Sequence, residues 1–423
     1  MKLLILGSPT SNAFKAIGLN KDSYGAGWVQ NLISELKCKG IELYSLFVTS
    51  EIKTLTKGTY DGVTYFAAPY YLGSLSKRIT KTTNLFKTLI DTIQPDIVHI
   101  IGTEREYNYC LFKAFNKPKR TIVSLTGLIT YCAYHYLGHI DRSQLRMKSL
   151  GDVIRRWGPL AEQKEFYAAS VYERLLLAET INVFGRTTWD RLGSLLINPK
   201  LEYRHCGEII NEIYYSKQWD LNKCERHRIF VSQASYPLKG LHILIEALPY
   251  ILERYPDTKL YVAGEDIFNS SSIKERIKRT TYARFLLKSL KKKGISKDKI
   301  CFTGFLKPNE MLQQYLKAEV FVLPSLIENS PNSLGESMLV GVPSIAAYVG
   351  GIPDMIENGV TGFTYPSDEP YILAKRIMEL FEDKATALMI SKNARTFARS
   401  FFDKNKTIEV TINTYQELIN RKN

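Results

Sequence analysis

Residues 319 to 353 read EVFVLPSLIENSPNSLGESMLVGVPSIAAYVGGIP, and the way this stretch divides decides the fold. Val320, Phe321, Val322 and Leu323 form a short continuous apolar run of β-branched and aromatic side chains, which predicts a buried parallel strand ending at Pro324. Ser330 followed by Pro331 predicts a helix start, since serine can cap free first-turn amides and proline needs no hydrogen bond there. The helix is expected to run through Val340 and to stop at Gly341, with Pro343 just beyond it. Ser344 to Ala347 then form the next strand.

Two carboxylates belong to this unit, Glu328 in the loop and Glu336 in the early helix, with seven residues between them. A loop at the carboxyl end of a parallel strand opens into the crevice where α/β sheets bind ligands, and a helix start beside it offers bare amides to phosphate. A carboxylate there can accept hydrogen bonds from sugar or ribose hydroxyls. The plain alternative is a solvated loop acid at 328 and a first-turn glutamate at 336 favoured by the helix dipole.

Taken with its surroundings, the segment resembles the donor-binding half of glycosyltransferase family 4, a retaining family of the GT-B fold. The resemblance rests on Glu328 and Glu336 at that spacing, on Gly341-Val342-Pro343, on Gly350-Gly351-Ile352-Pro353-Asp354-Met355-Ile356, and on Gly359-Val360-Thr361-Gly362-Phe363. Several motifs in one order carry a weight that none has alone. The resemblance implies two Rossmann-like, doubly wound parallel-sheet domains facing across a cleft. The expected division is residues 1–207 with a C-terminal helix 404–423 for the acceptor side, and residues 208–403 for the nucleotide-sugar side.

A chain of 423 residues, 45% of them hydrophobic and 23% charged, suits two globular domains, and no apolar run is long enough to span a bilayer. The start, Met1 to Leu6, reads as a first strand and is too short for a signal segment, so a cytoplasmic protein is expected, with the inner face of a membrane as a further place. Six cysteines show neither paired nor metal-ligand spacing, which points to scattered thiols and away from zinc or disulfides. The net charge of +15 is shared, 27 basic against 19 acidic side chains up to residue 215 and 30 against 23 after it. One cluster stands out, eleven basic side chains in residues 274 to 299 against Glu275 and Asp298. Ile273, Ile277, Leu287 and Leu290 give it an apolar face, which fits either a helix lying on anionic lipid or an outer helix packed on its own sheet.

Along the first part, strand-like segments at Leu3–Leu6, Leu43–Val48, Val63–Phe66, Ile97–Ile101, Thr121–Leu125 and Thr180–Phe184 alternate with helix-like ones, the pattern of a doubly wound sheet. Gly25 and Gly27 open the first long helix, where glycine lets amides approach an anion. They lack dinucleotide-binding spacing, and the resemblance places such a pair near the donor's phosphates. His99 lies on a strand just before the Gly102 loop and is either a core histidine or a cleft residue. Thr126 ends the next strand at a position where many family members carry histidine. Residues 128 to 175 are rich in tyrosine and arginine, and the resemblance puts them on the acceptor side. Thr187 is expected to cap a helix, and Arg186 before it is either a cleft cation or an exposed arginine.

In the second part Lys239 precedes a helix from Leu241, where a point charge would add to the amide dipoles on a diphosphate. An arginine that many relatives carry shortly before it is replaced here by Gln233, Ala234 and Ser235. Gly304 and Phe305 resemble the loop that meets the nucleotide base. The implied chemistry is transfer from a nucleotide-diphosphate sugar, a UDP-sugar first, to a glycan or lipid-linked acceptor. Glu328 and Lys239 are the catalytic pair. Glu336 takes ribose, and Asn332, Ser333, Leu334, Gly350 and Gly351 hold the sugar and phosphates. No metal, cofactor or nucleic acid is expected. An inactive GT-B subunit supporting a partner enzyme and a basic peripheral membrane binder are the alternatives.

Overall fold

A computed structural model describes residues 1–23, 27–146, 149–155, 158–268, 272, 277 and 279–421 of the chain. It divides into two compact units, one of residues 1–130, 167–211 and 402–423, the other of residues 131–166 and 212–401. Each is built on its own sheet.

The first sheet has eight strands: β1 (Lys2–Leu6), β2 (Glu42–Thr49), β3 (Thr56–Tyr60), β4 (Val63–Pro69), β5 (Ile97–Ile101), β6 (Thr121–Ser124), β7 (Asn182–Gly185) and β8 (Glu202–His205), in the order β3-β4-β2-β1-β5-β6-β7-β8. All pairs are parallel except β3 with β4. Side chains of β1 alternate between two cores: Leu3 and Ile5 pack with Leu32, Ile33 and Ile408, while Leu4 and Leu6 pack with Phe86, Leu111 and Leu176. The final helix, Lys404–Asn420, belongs to this unit, with Asp403 accepting from the amides of Asn405 and Lys406 at its start. Its Tyr415 hydroxyl lies 2.7 Å from His99 Nδ1, and Ser124 Oγ lies 2.6 Å from Nε2. His99 is therefore a core histidine with both ring nitrogens satisfied.

The second sheet holds β9 (Arg228–Val231), β10 (Lys259–Val262), β11 (Ile300–Phe302), β12 (Val320–Leu323), β13 (Ser344–Ala347) and β14 (Phe363–Tyr365), all parallel, in the order β11-β10-β9-β12-β13-β14. The order reverses at β9, which lies between β10 and β12. All four residues of β12 are buried, and each such side chain contributes roughly 1.5–3 kcal/mol of transfer free energy. The helix Asn332–Val340 ends at Gly341 with φ 87°, whose amide donates to the carbonyls of Ser337 and Met338. Its start differs from expectation. The residue before it is Pro331, and Ser330 Oγ makes no cap but is buried without a partner among the described residues.

Three further differences are physical. Strands β3 and β8 carry no apolar run because both are sheet edges, half exposed and polar. The β3–β4 turn is Asp61-Gly62, both at positive φ as a tight hairpin demands. Residues 131–166, expected on the first domain, group with the second unit. Tyr136, Leu137, Ile140 and Leu145 join its core, Gly138 O lies 2.5 Å from His242 Nε2, and the Thr281 amide donates to Asp152 at 2.8 Å. In the basic cluster the helix Thr281–Lys292 buries Tyr282, Ala283, Leu286 and Leu290 in that core, so its basic face is an outer face. Ile273 and Lys274 lie outside the described residues, and Ile277 is 38% exposed. Among the described residues no helix is long and apolar enough to cross a membrane.

Burial drives the pKa of His99 down to about 3 and that of His242 to about 4. Both are folded neutral, whereas an unfolded histidine takes a proton near pH 6.5. Stability is therefore whole above that pH and is lost as pH falls, by about 1.4 kcal/mol per pH unit for each histidine, until their depressed values are reached. Urea unfolding at neutral and mildly acid pH measures this slope, and replacing both histidines by glutamine should flatten it.

Candidate donor site at the strand-order reversal

At the reversal in the second sheet, the loops after β9 and β12 lead to helices on opposite faces and leave a crevice at the carboxyl ends. The loop after β9 closes with the turn Pro237–Lys239 and Gly240 at φ 72°. A side chain at 240 would put its Cβ 1.8 Å from Pro324 O, so only glycine lets this loop approach the one after β12. The Leu326 amide donates to Leu238 O at 2.9 Å and fixes the approach.

The consequence is an ion pair: Lys239 Nζ donates to Glu328 Oε1 at 2.5 Å, with the two side chains 17% and 13% exposed. Burial works against the lysine's charge, yet the Glu328 carboxylate, helped by the Tyr236 hydroxyl, outweighs it and holds the ammonium's pKa above its usual value. Lys239 is thus a fixed cation. Tyr236 stacks on Tyr136 with ring centroids 6.0 Å apart, which brings the 131–166 segment beside the lysine loop.

The third wall is the loop after β13. Gly350, at φ 52°, would place a Cβ 2.0 Å from Glu328 O, and the Gly351 amide donates to that same oxygen at 2.9 Å. This corrects one expectation. The Gly351 amide is committed to the Glu328 backbone and is not offered to a sugar, so the two glycines set the position of Glu328. The Leu334 amide is likewise committed, to Pro331 O, and its side chain is fully buried.

Glu336 is held from beneath. The Tyr315 hydroxyl lies 3.0 Å from both Glu336 Oε2 and Ser333 O. Burial, with the Glu336 charge second, raises the Tyr315 pKa well above its usual value, so this phenol stays a donor. Ser325 Oγ, Ser330 Oγ and Asn332 Oδ1 in the same loop and helix start are buried without a hydrogen-bond partner among the described residues. Leaving such groups unpaired costs about 1–3 kcal/mol each. At the far end Gly304, at φ 77°, bridges Gly264, and Phe305 beyond it is 64% exposed.

Other expected residues fall elsewhere. Gly25 lies outside the described residues, and Gly27 opens the helix Gly27–Lys37 of the first unit. Thr126 donates to Glu104 at 3.3 Å, in a loop whose following amides, Ile129 and Thr130, bind the buried Glu173. Arg186 is neither exposed nor a solvated cation: it is buried, 2.5 Å from Glu208 Oε1 and 5.3 Å from the Trp28 ring centroid, and with His99 and Ser124 it lines a small cavity of the first unit. Thr187 caps the next helix as expected, in a capping box with Asp190. Tyr315 escapes the sequence reading, because no spacing rule joins a tyrosine on one helix to a glutamate on another. Among the described residues no three His, Cys, Asp or Glu side chains group as metal ligands would.

Two doubly wound sheets, the second with a cation and paired acids at its reversal, define a GT-B protein of the nucleotide-sugar-binding kind. Residues 215–397 match the family model described as glycosyl transferases group 1. A putative glycosyltransferase, YtcC, of Bacillus subtilis is 24% identical over 330 residues, 78% of this chain and 74% of that one. Among solved structures, sucrose-phosphate synthase from Thermosynechococcus elongatus superposes with TM-score 0.73 at 15% identity, over 99% of each chain. HepE of Anabaena, in complex with UDP and glucose, does so with TM-score 0.65 at 16% identity, over 99% of this chain and 100% of that one. These likenesses establish the fold.

If the loops hold the charges as described, Lys239 and Glu328 are energetically coupled. A double-mutant cycle with Lys239→Met and Glu328→Gln, followed by urea unfolding, should give a coupling of about 1–3 kcal/mol. Simple additivity would show that the pair is not formed in solution.

Proposed function

We propose that this enzyme moves a sugar from a UDP-sugar to a glycan or lipid-linked acceptor, with retention of anomeric configuration. The observation that carries the reading is the Lys239–Glu328 pair, fixed at the strand-order reversal in a loop system whose buried Ser325 and Ser330 hydroxyls have no partner among the described residues. A diphosphate laid over the loop after β9 meets the Lys239 ammonium, and the charge that grows on it as the glycosidic bond breaks is met by a cation already in place. Glu328 accepts from hydroxyls of the donor sugar while keeping the lysine aimed. Glu336, steadied by Tyr315, takes the ribose hydroxyls, and the exposed Phe305 ring is placed to stack on the base. The complex of HepE with UDP and glucose makes uridine the first base to test.

A double displacement would need a nucleophile at the anomeric carbon, and Glu328 is engaged with Lys239. The reading is therefore front-face attack: the acceptor oxygen bonds to the anomeric carbon on the side the phosphate leaves, and its proton passes to a phosphate oxygen. In this scheme the lysine and the amide dipoles carry the leaving group's charge, so chelators should leave turnover unchanged.

The test is UDP release from UDP-sugars chosen by thermal shift, since a bound donor raises the melting temperature by mass action. Lys239→Ala and Glu328→Ala should each lower turnover per folded molecule by roughly 100-fold or more, and each should also lower the melting temperature, since it leaves a buried charge without its partner. Glu336→Ala should chiefly raise the donor KM, by about tenfold. Undiminished release in Lys239→Ala would refute the assignment.

A further inference from the structure

The first unit carries an apolar surface with no use in the donor site. On the outer face of the helix Pro159–Glu179, Val171 and Leu175 are 43% and 41% exposed, one turn apart. On the helix Thr188–Ile197, Leu192 and Leu196 are 60% and 77% exposed at the same spacing. The two helices follow β6 and β7 in a sheet that runs β6-β7-β8, so right-handed crossovers put both on one face. Asn198, just past the second helix, donates to Leu177 O and Thr180 O at the end of the first, at 2.9 and 3.1 Å. The two aliphatic rows therefore share one face of the unit.

Its rim is basic. Arg174 and Arg191 stand exposed beside the rows, and Lys117, Lys119 and Lys200 occupy the turns at the start of β6 and before β8. Those turns are tied together, Asn182 Nδ2 reaching the carbonyls of Lys119 and Thr121 while Asn198 closes the next. The nearby acids are spent: Glu179 pairs with Lys113 at 2.9 Å, and Glu202 with Arg204 and Arg421 at 3.1 and 2.6 Å.

We infer that this face docks on a bilayer surface bearing anionic phospholipid headgroups, with Leu192 and Leu196 entering the acyl boundary and the five cations on the phosphates. A face with aliphatics at its centre and, around it, cations that form no ion pair among the described residues complements a plane of negative charge. A second copy of the chain fits worse, because a two-fold contact would set each cation cluster against itself. The basic helix Thr281–Lys292 offers no such face, its apolar side being spent in the core.

The experiment is flotation of the full chain with equimolar phosphatidylcholine–phosphatidylglycerol vesicles and with pure phosphatidylcholine vesicles. Binding is expected to the anionic vesicles and to fall with salt. Leu192→Ser with Leu196→Ser should lower it by about tenfold or more, and Lys119→Ala and Lys200→Ala by about fivefold each. UDP release in vesicle-free solution and the melting temperature should not move. The single Leu196→Gln variant, at the most exposed position, serves if the double one fails to fold. Absence of flotation by the native chain, or equal flotation by the leucine variants, overturns the inference. So does a native dimer that the leucine substitutions convert to monomer.

Discussion

The second unit depends on holding an ammonium and a carboxylate together where they are largely removed from water. Such a pair costs several kcal/mol of desolvation per ion, and its attraction repays this only when the geometry is fixed in advance. The fixing is done by backbone. Gly240 lies against Pro324 O, the Leu326 amide bonds Leu238 O, and the Gly351 amide bonds Glu328 O. None of these contacts uses the Lys239 or Glu328 side chain, so both ends stay available to a ligand. The sheet makes the arrangement possible, since only at β9 do neighbouring loops lead to opposite faces and leave space between them.

How much of this was legible follows from where information about burial sits in a sequence. Strands with both faces covered, such as Val320–Leu323 and Ile97–Ile101, announce themselves as apolar runs, and those readings agree with the structure. Edge strands do not. Thr56–Tyr60 has a single neighbour and a polar, exposed pattern, and only its Asp61-Gly62 turn signals it. Ser330 shows the opposite failure: its local chemistry is right for a cap, but the helix starts one residue later and the hydroxyl is buried without a partner among the described residues. The 131–166 segment deceived for a third reason. Its affiliation is set by tertiary contacts of Tyr136, Gly138 and Asp152 that no local pattern encodes.

The same distinction runs through the site residues. Lys239 and Glu328 stand in loops, where a charged residue needs a reason to be placed, and motif order gave that reason. His99 and Arg186 also end or precede loops, yet each is consumed by partners distant in sequence, Tyr415 in one case and Glu208 and Trp28 in the other. A charge or imidazole near a strand end is thus informative only once its partners are known. Glu336 lies between these cases, since its place was legible from spacing while the phenol that orients it came from a separate helix.

The oxygens of Ser325, Ser330 and Asn332, without partners among the described residues, bear on the ligand proposed for this loop. The Lys239 ammonium alone would suit any anion. Three neutral, buried oxygens a few residues from Glu328 would not, because an inorganic anion satisfies hydroxyls only as donors and leaves the Asn332 carbonyl oxygen unpaired. A polyol both donates and accepts, so it can pair an amide oxygen as well as a serine hydroxyl. Each oxygen so satisfied returns about 1–3 kcal/mol that the free protein forgoes. On the proposed reading, the Lys239 ammonium meets the diphosphate and these oxygens meet the hydroxylated group attached to it, the combination that separates a sugar nucleotide from either part alone.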